Sequence, residues 1–264
     1  MSDSAQNQFT DGAAYERLMG RWSQQIGAQF LDWIAPAKGL RWLDVGCGNG
    51  AFTEVVIERA LPSTIAGIDP SEAQIAFART RPRAKSAEFR VGDAQSLPFP
   101  DRSFDAAAMA LVIAFVPDGA KAAREMARVV RPGGPVATYM WDLEGQGFPL
   151  RHVYEALAEQ GHAVAMPPGR DNGRIEMLRK LWTGAGLDAV ETRTIETTVS
   201  YADFDDYWAS NSIPLGPHGA TLKALSAEAR DQLKARIDRM LPRDASGRIA
   251  FPAVANAVKG RTRA

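Results

Sequence analysis

At 264 residues, with 45% hydrophobic and 23% charged side chains, the chain has the composition of a globular protein with a sizeable core, and no apolar run approaches the ~20 residues that span a bilayer. Its 31 basic residues balance 31 acidic ones, so no global positive field gathers a nucleic-acid backbone. The polar start MSDSAQNQFTDG lacks the basic and apolar regions of a secretory signal, and the single Cys47 has no partner for an internal disulfide, which together point to a cytoplasmic location.

Residues 13–34 set Leu18, Met19, Ile26, Phe30, Leu31 and Ile34 at helical spacing, which predicts two short helices behind a polar tail. Residues 40–45 read as a short buried strand that ends in glycines, and Phe52, Val55, Val56 and Ala60 describe one face of the helix that follows. A strand over 64–68 leads to Ser71, placed to cap the next helix with Gln74 at the capping-box position, so the unit is βαβ. Further strands read at 88–91, 105–111 and 135–141, with a helix over 117–130 that Pro132-Gly133-Gly134 stops. Alternation of this kind predicts a parallel sheet. In the second half, a helix over 150–160 and another carrying Ile175, Leu178, Leu181 and Trp182 precede a long strand over 189–200. That strand and a last one over 248–254 bracket a helical insertion around 201–241, read as a lid.

The chemistry concentrates in the turn Leu43-Asp44-Val45-Gly46-Cys47-Gly48-Asn49-Gly50-Ala51. Its glycines let the backbone turn sharply and admit a ligand closely, and the following helix offers unpaired N–H groups. Gly46, Gly48 and Ala51 satisfy the dinucleotide pattern, with Asp69 at a distance suited to a ribose, so a nicotinamide oxidoreductase is one reading. Asp44 separates the readings: a carboxylate beside this turn repels a pyrophosphate and suits a ligand that carries an ammonium group, as S-adenosylmethionine does. Asp69, followed by Pro70, closes the second strand and can accept two ribose hydroxyls; Gly92-Asp93-Ala94 closes the third, where Asp93 can accept from an exocyclic amine. The plainer reading of each carboxylate is a turn former or helix cap.

The segments LDVGCGNG from Leu43, IDPS from Ile68, VGDAQSLPFPDRSFD from Val91 and ARVVRPGG from Ala127 stand in order across residues 40–142. With them the sequence resembles the class I S-adenosylmethionine-dependent methyltransferases, in particular the ubiquinone and menaquinone biosynthesis branch. The resemblance implies an α/β fold: a doubly wound, Rossmann-like, seven-stranded, mostly parallel sheet with an N-terminal helical cover and a helical lid insertion. It implies one domain over 1–264, with the cover at 1–36, the cofactor-binding core at 37–142, and the remaining strands and acceptor-side lid at 143–264. It also implies S-adenosylmethionine as cofactor and S-adenosylhomocysteine as product. The 46–50 loop, including Gly46, Cys47 and Gly48, would cradle the methionine part beside Asp44, with Asp69 and Pro70 at the ribose, Asp93 and Ala94 at the adenine, and Ala110 at the methyl centre. YERLMGRW from Tyr15 looks like the cover of such enzymes, with Arg21 placed to pair with the cofactor carboxylate and Tyr15 or Trp22 to close over it.

Relatives often carry histidine after the fourth strand, whereas Leu111-Val112-Ile113-Ala114-Phe115 is apolar, which excludes a histidine base there. His152, His218, Asp142 and Tyr139 are the candidates for an acceptor-side base, and no catalytic residue is assigned; Trp141, Phe204, Tyr207 and Trp208 read as acceptor lining or as core. No metal is expected, since the 3 histidines are isolated and Cys47 lies in the loop. The expected partner is a small-molecule methyl acceptor with an O, N, S or C nucleophile, with no nucleic acid. A noncatalytic S-adenosylmethionine-binding protein is the alternative.

Overall fold

The computed structural model describes residues 21–145, 147–213, 215–216 and 218–263. Helix α1 (Arg21–Ile34) precedes strand β1 (Arg41–Val45), helix α2 (Ala51–Ala60), β2 (Thr64–Asp69), α3 (Glu72–Ala78), β3 (Ala87–Val91), β4 (Ala106–Ala110), α4 (Gly119–Val129) and β5 (Pro135–Trp141). Then come α5 (Arg151–Glu159), α6 (Ile175–Gly184), β6 (Asp188–Tyr201), α7 (Phe204–Asn211), α8 (Gly219–Ala224), α9 (Ala227–Met240) and β7 (Ile249–Arg261).

β1, β2, β4 and β5 are buried along almost their whole length and on both faces, as central strands of a sheet covered by helices must be. The seven strands lie in the order β3-β2-β1-β4-β5-β7-β6. Neighbours from β3 to β5 are parallel, and only β7 runs against its two neighbours. This is the doubly wound, mostly parallel sheet that the alternation of elements predicts. The chain winds outwards from β1 in one direction through β2 and β3 and in the other through β4 and β5, so the crevice at the C-terminal ends of β1 and β4 is the place where such sheets bind ligands.

Two differences from the sequence reading have local causes. β7 runs on to Arg261, well past the predicted end at 254. Its last residues, Ala255-Asn256-Ala257-Val258-Lys259-Gly260, carry little strand propensity, but pairing to β5 on one side and β6 on the other overrides it. The insertion between β6 and β7 resolves into the three helices α7, α8 and α9. The first of the two N-terminal helices expected lies outside the described residues; the second is α1, which buries Trp22, Ile26 and Phe30. No helix among the described residues is long and apolar enough to cross a membrane.

Arg128 on α4 braces the long β3–β4 connection. Its guanidinium donates to the carbonyls of Phe99 at 2.9 Å and Leu97 at 3.0 Å and pairs with Asp101 at 2.7 Å and Glu125 at 2.8 Å, while Glu125 accepts the Leu97 N–H. Where this connection enters β4, Asp105 pairs with Arg41 at 2.9 Å and Arg131 at 2.8 Å, which holds its carboxyl below the usual range. A third clamp is buried. Arg81 donates to Glu54 Oε2 and to the Asn49 carbonyl, both at 2.6 Å, and so locks α2 and the glycine loop together. Removing one partner of such a pair strands a charge out of water, so Glu54→Ala should destabilise the fold by about 3–5 kcal/mol. Chemical denaturation followed by far-UV circular dichroism checks this.

Candidate functional site

β1 ends in a turn that only glycine builds easily. Gly46, Gly48 and Gly50 sit at φ of 70°, 49° and 83°, in the left-handed region that costs other residues free energy. The N–H groups of Gly46 and Cys47 both donate to the Ile68 carbonyl, at 2.7 and 3.0 Å, which folds the loop back over β2. At the end of β4, Leu111 takes a φ of 61°, rare for a non-glycine residue. That twist brings the Val112 side chain over Gly46, where a Cβ would lie 2.6 Å from Cγ1 and 2.7 Å from Cγ2.

The two carboxylates differ in placement. Asp69 accepts the Gly48 N–H at 3.0 Å on one oxygen and the Ser71 N–H at 2.9 Å on the other, which leaves lone pairs on both oxygens at the cavity wall. Asp44 lies beneath the loop and outside the cavity lining: its Oδ2 accepts from the Thr53 hydroxyl at 2.6 Å and its Oδ1 is buried without a partner among the described residues. Burial pushes Asp44 up to about 7, against the Thr53 hydroxyl, with the Asp69 charge adding to the rise. Burial also raises Asp69, opposed by its two N–H bonds, and lifts the Cys47 thiol well above its ordinary value, helped by both carboxylates. This corner therefore holds more negative charge than it can comfortably ionise.

The turn faces a cavity of about 200 Å³ that brings most of the predicted residues together. Gly46, Cys47, Gly48, Asp69, Pro70, Asp93, Ala94 and Ala110 all line it. Asp93 is held by Gln95, whose backbone N–H donates to Oδ1 at 2.8 Å and whose side-chain amide reaches both oxygens. Gln95 in turn accepts the Asp118 N–H at 3.1 Å at the start of α4. Tyr15 lies outside the described residues, as does the side chain of Arg21. Trp22 is buried in the core and lines no part of the cavity.

Beyond Ala110 the walls become apolar: Met140, Trp141, Leu143, Phe148, Leu150, Tyr154, Met166 and Pro167, with His218 at the rim of the insertion. Among the described lining residues there is no lysine or arginine. Of the candidate bases, His218 and Tyr139 line the cavity, and Tyr139 donates to the Ser23 carbonyl at 3.5 Å. His152 packs on Phe251 with ring centroids 4.8 Å apart, and Asp142 accepts the Gly145 N–H. Neither lines the cavity, nor do Phe204, Tyr207 and Trp208; Tyr207 belongs to a buried cluster with Tyr201 and Phe251. Sequence reasoning passed over Phe148, Tyr154 and Met166. Tyr154 carried one signal, since with Leu150, Val153 and Leu157 it completes the apolar face of the predicted helix; the others stand in segments without periodicity.

Comparison with known proteins agrees with this geometry. Residues 43–138 match a family model described as a methyltransferase domain. An O-methyltransferase of Aspergillus nomiae is 31% identical over 200 residues, which are 74% of this chain and 82% of the fungal protein. A fatty-acid O-methyltransferase of Mycolicibacterium smegmatis is 40% identical over 100 residues, 38% of this chain and 36% of that enzyme. The matched region spans little more than a third of the length of the first curated relatives. Among solved structures, phosphoethanolamine N-methyltransferase 2 of Haemonchus contortus in complex with S-adenosyl-L-methionine superposes with a TM-score of 0.61 at 20% identity, covering 99% of this chain and 59% of that one. At that identity the likeness concerns the fold.

The contact between Gly46 and Val112 gives a direct test. Gly46→Ala combines a left-handed backbone with a clash and should cost about 2–4 kcal/mol of stability. Adding Val112→Ala should recover the steric share, so a double-mutant cycle followed by thermal unfolding will show coupling between the two sites.

Proposed function

Because the chain belongs to the class I S-adenosylmethionine-dependent methyltransferases, we propose that it transfers a methyl group from S-adenosylmethionine to a small, largely apolar acceptor. The observation that carries this reading is electrostatic. Asp44 and Asp69 are both raised by burial, the Asp69 charge raises Asp44 further, and no cation among the described lining residues neutralises them. A ligand with an ammonium group and a sulfonium relieves that strain, whereas the pyrophosphate of a nicotinamide dinucleotide adds to it.

The residues present fit the cofactor. Asp69 has lone pairs left for a ribose diol, Asp93 is pinned by Gln95 so that its carboxylate can accept from the adenine amine, and the 46–48 turn offers a cradle without side-chain bulk for the methionine part. The bound cofactor supplies an electrophilic methyl group at a positively charged sulfur. Ala110, with its small side chain, and Leu111 line the cavity between its acidic and apolar ends, which supports their bordering the point where the two ligands would meet. Trp141, Leu143 and Phe148 keep water from that meeting point, so alignment in a dry chamber provides much of the acceleration.

Calorimetric titration tests the reading. S-adenosylmethionine and S-adenosylhomocysteine should bind saturably and NADH should not; binding of NADH alone would overturn it. Asp69→Ala should weaken S-adenosylmethionine by about 1–3 kcal/mol. Affinity should also follow pH. The free chain holds a proton on Asp44 until about 7, and a cationic ligand favours the ionised form, so binding releases that proton and strengthens as pH rises. The expected gain is about tenfold from about pH 6 to about pH 8. Asp44→Asn should flatten this dependence.

A further inference from the structure

We propose that His218 takes the proton from an uncharged, hydroxyl-bearing acceptor held in the apolar end of the cavity, so that the chain acts as an O-methyltransferase of neutral phenol- or enol-like compounds; this rests on the cofactor reading above.

His218 is 1% exposed, lines the cavity, and neither ring nitrogen has a hydrogen-bond partner among the described residues. A buried imidazole normally satisfies at least one nitrogen, so the ring is set up for a partner other than the described side chains. The Asn211 carbonyl, at the end of α7, faces the ring without reaching hydrogen-bond geometry. It favours an N–H on its own side and leaves the other nitrogen as an acceptor. Tyr154 flanks the imidazole, its ring tilted by 48° at a centroid distance of 5.7 Å, and Phe148 packs edge-on against Tyr154 at 5.2 Å. Aromatic surfaces thus border the imidazole as they would a flat substrate.

The surroundings define the acceptor's charge. A carboxylate or phosphate acceptor needs a cation, and the described walls supply no lysine or arginine. An alkylammonium acceptor needs an anion, and the lining carboxylates Asp69 and Asp93 stand at the other end, beside the glycine turn and the β3 terminus. Burial holds the His218 ring down to about 4, so it is neutral at ordinary pH and its lone pair is free to accept. Proton transfer therefore has to accompany methyl transfer. As the acceptor oxygen bonds to the methyl carbon, the carbon–sulfur bond breaks with its electron pair left on sulfur, and the hydroxyl proton passes to the imidazole. Neutral acceptor, neutral imidazole and sulfonium become ether, imidazolium and neutral thioether, so the cavity carries one positive charge before and after. No net charge is buried during the step. The imidazolium returns its proton to water when the ether leaves.

The test uses 2-naphthol as probe, with its methyl ether and 2-naphthoate as controls, on the full chain saturated with S-adenosylhomocysteine. The naphthol should bind about tenfold tighter than its ether, should shift the His218 ring resonances in long-range proton–nitrogen spectra, and should outcompete the naphthoate. His218→Gln should erase the preference for the hydroxyl and slow formation of 2-methoxynaphthalene from S-adenosylmethionine by about a hundredfold or more, while S-adenosylhomocysteine affinity stays the same and reports an intact fold. A His218→Gln chain that keeps both the preference and the turnover overturns the proposal. So does naphthoate binding equal to that of the naphthol, or no naphthol binding at all. A wild-type chain that fails to bind S-adenosylhomocysteine overturns the cofactor reading instead, and with it this one.

Discussion

The cleft depends on one carboxylate that joins two loops. Asp69 receives the Gly48 N–H from the turn after β1 and the Ser71 N–H from the start of α3, so two neighbouring strand ends are fixed to each other by charge-assisted bonds. Both bonds oppose the burial that raises its pKa, and burial still prevails. The loop geometry thus favours the charged form of Asp69 against its burial, and Asp69 in turn holds the loops. The sharp left-handed turn at Gly46 and the Arg81–Glu54 clamp behind it then leave the turn little freedom to relax away from the cavity.

The cavity divides into two chemical environments that meet at Ala110. One end is acidic and rich in backbone groups, built by the ends of β1, β2 and β3. The other is apolar, built by β5, the segment after it, and the rim of the insertion. A cation fits the first and a neutral molecule the second, so charge alone orders the two ligands within one continuous space. Displacement at a positively charged centre suits this division, because charge disperses as the bond forms and a low-dielectric wall on the acceptor side does not oppose that change.

The acidic end was legible in the sequence because every part of it is local. A strand, a glycine turn and a helix N-terminus fall within LDVGCGNGA, and Asp69 and Asp93 each close a strand of their own. Other motif residues turned out to brace the scaffold. Asp101 and Arg128 stand in two different sequence segments and pair with each other, and the RPGG turn packs near Asp105, away from the cavity. The position of Asp44 was not legible. Sequence placed it beside the turn, but whether its side chain faces the cavity or the helix depends on Thr53, which bonds it from α2. The apolar end was illegible for a stronger reason: Trp141, Phe148, Met166 and His218 come from segments that no period connects, and only the tertiary fold brings them together.

The return of the chain through β7 also explains how the helical insertion is carried on the sheet. β6 and β7 pair from Asp188–Arg261 to Tyr201–Ile249, and the insertion is carried at the Tyr201 end of this long antiparallel ribbon. The ribbon is tied to the sheet through β5 along its inner edge, so it does not rely on the insertion for its place. At its tip, Tyr201, Tyr207 and Phe251 form a buried aromatic hub, with Trp22 of α1 edge-on to Tyr201 at 5.7 Å. The hub anchors α7 at its base, and beyond α7 Gly216 and His218 line the cavity. These lining residues stand outside the paired positions of β6 and β7, whereas the hub joins α1, α7 and both strands. A change at the lining therefore leaves the strand ladder untouched, and a change in the hub loosens several elements at once.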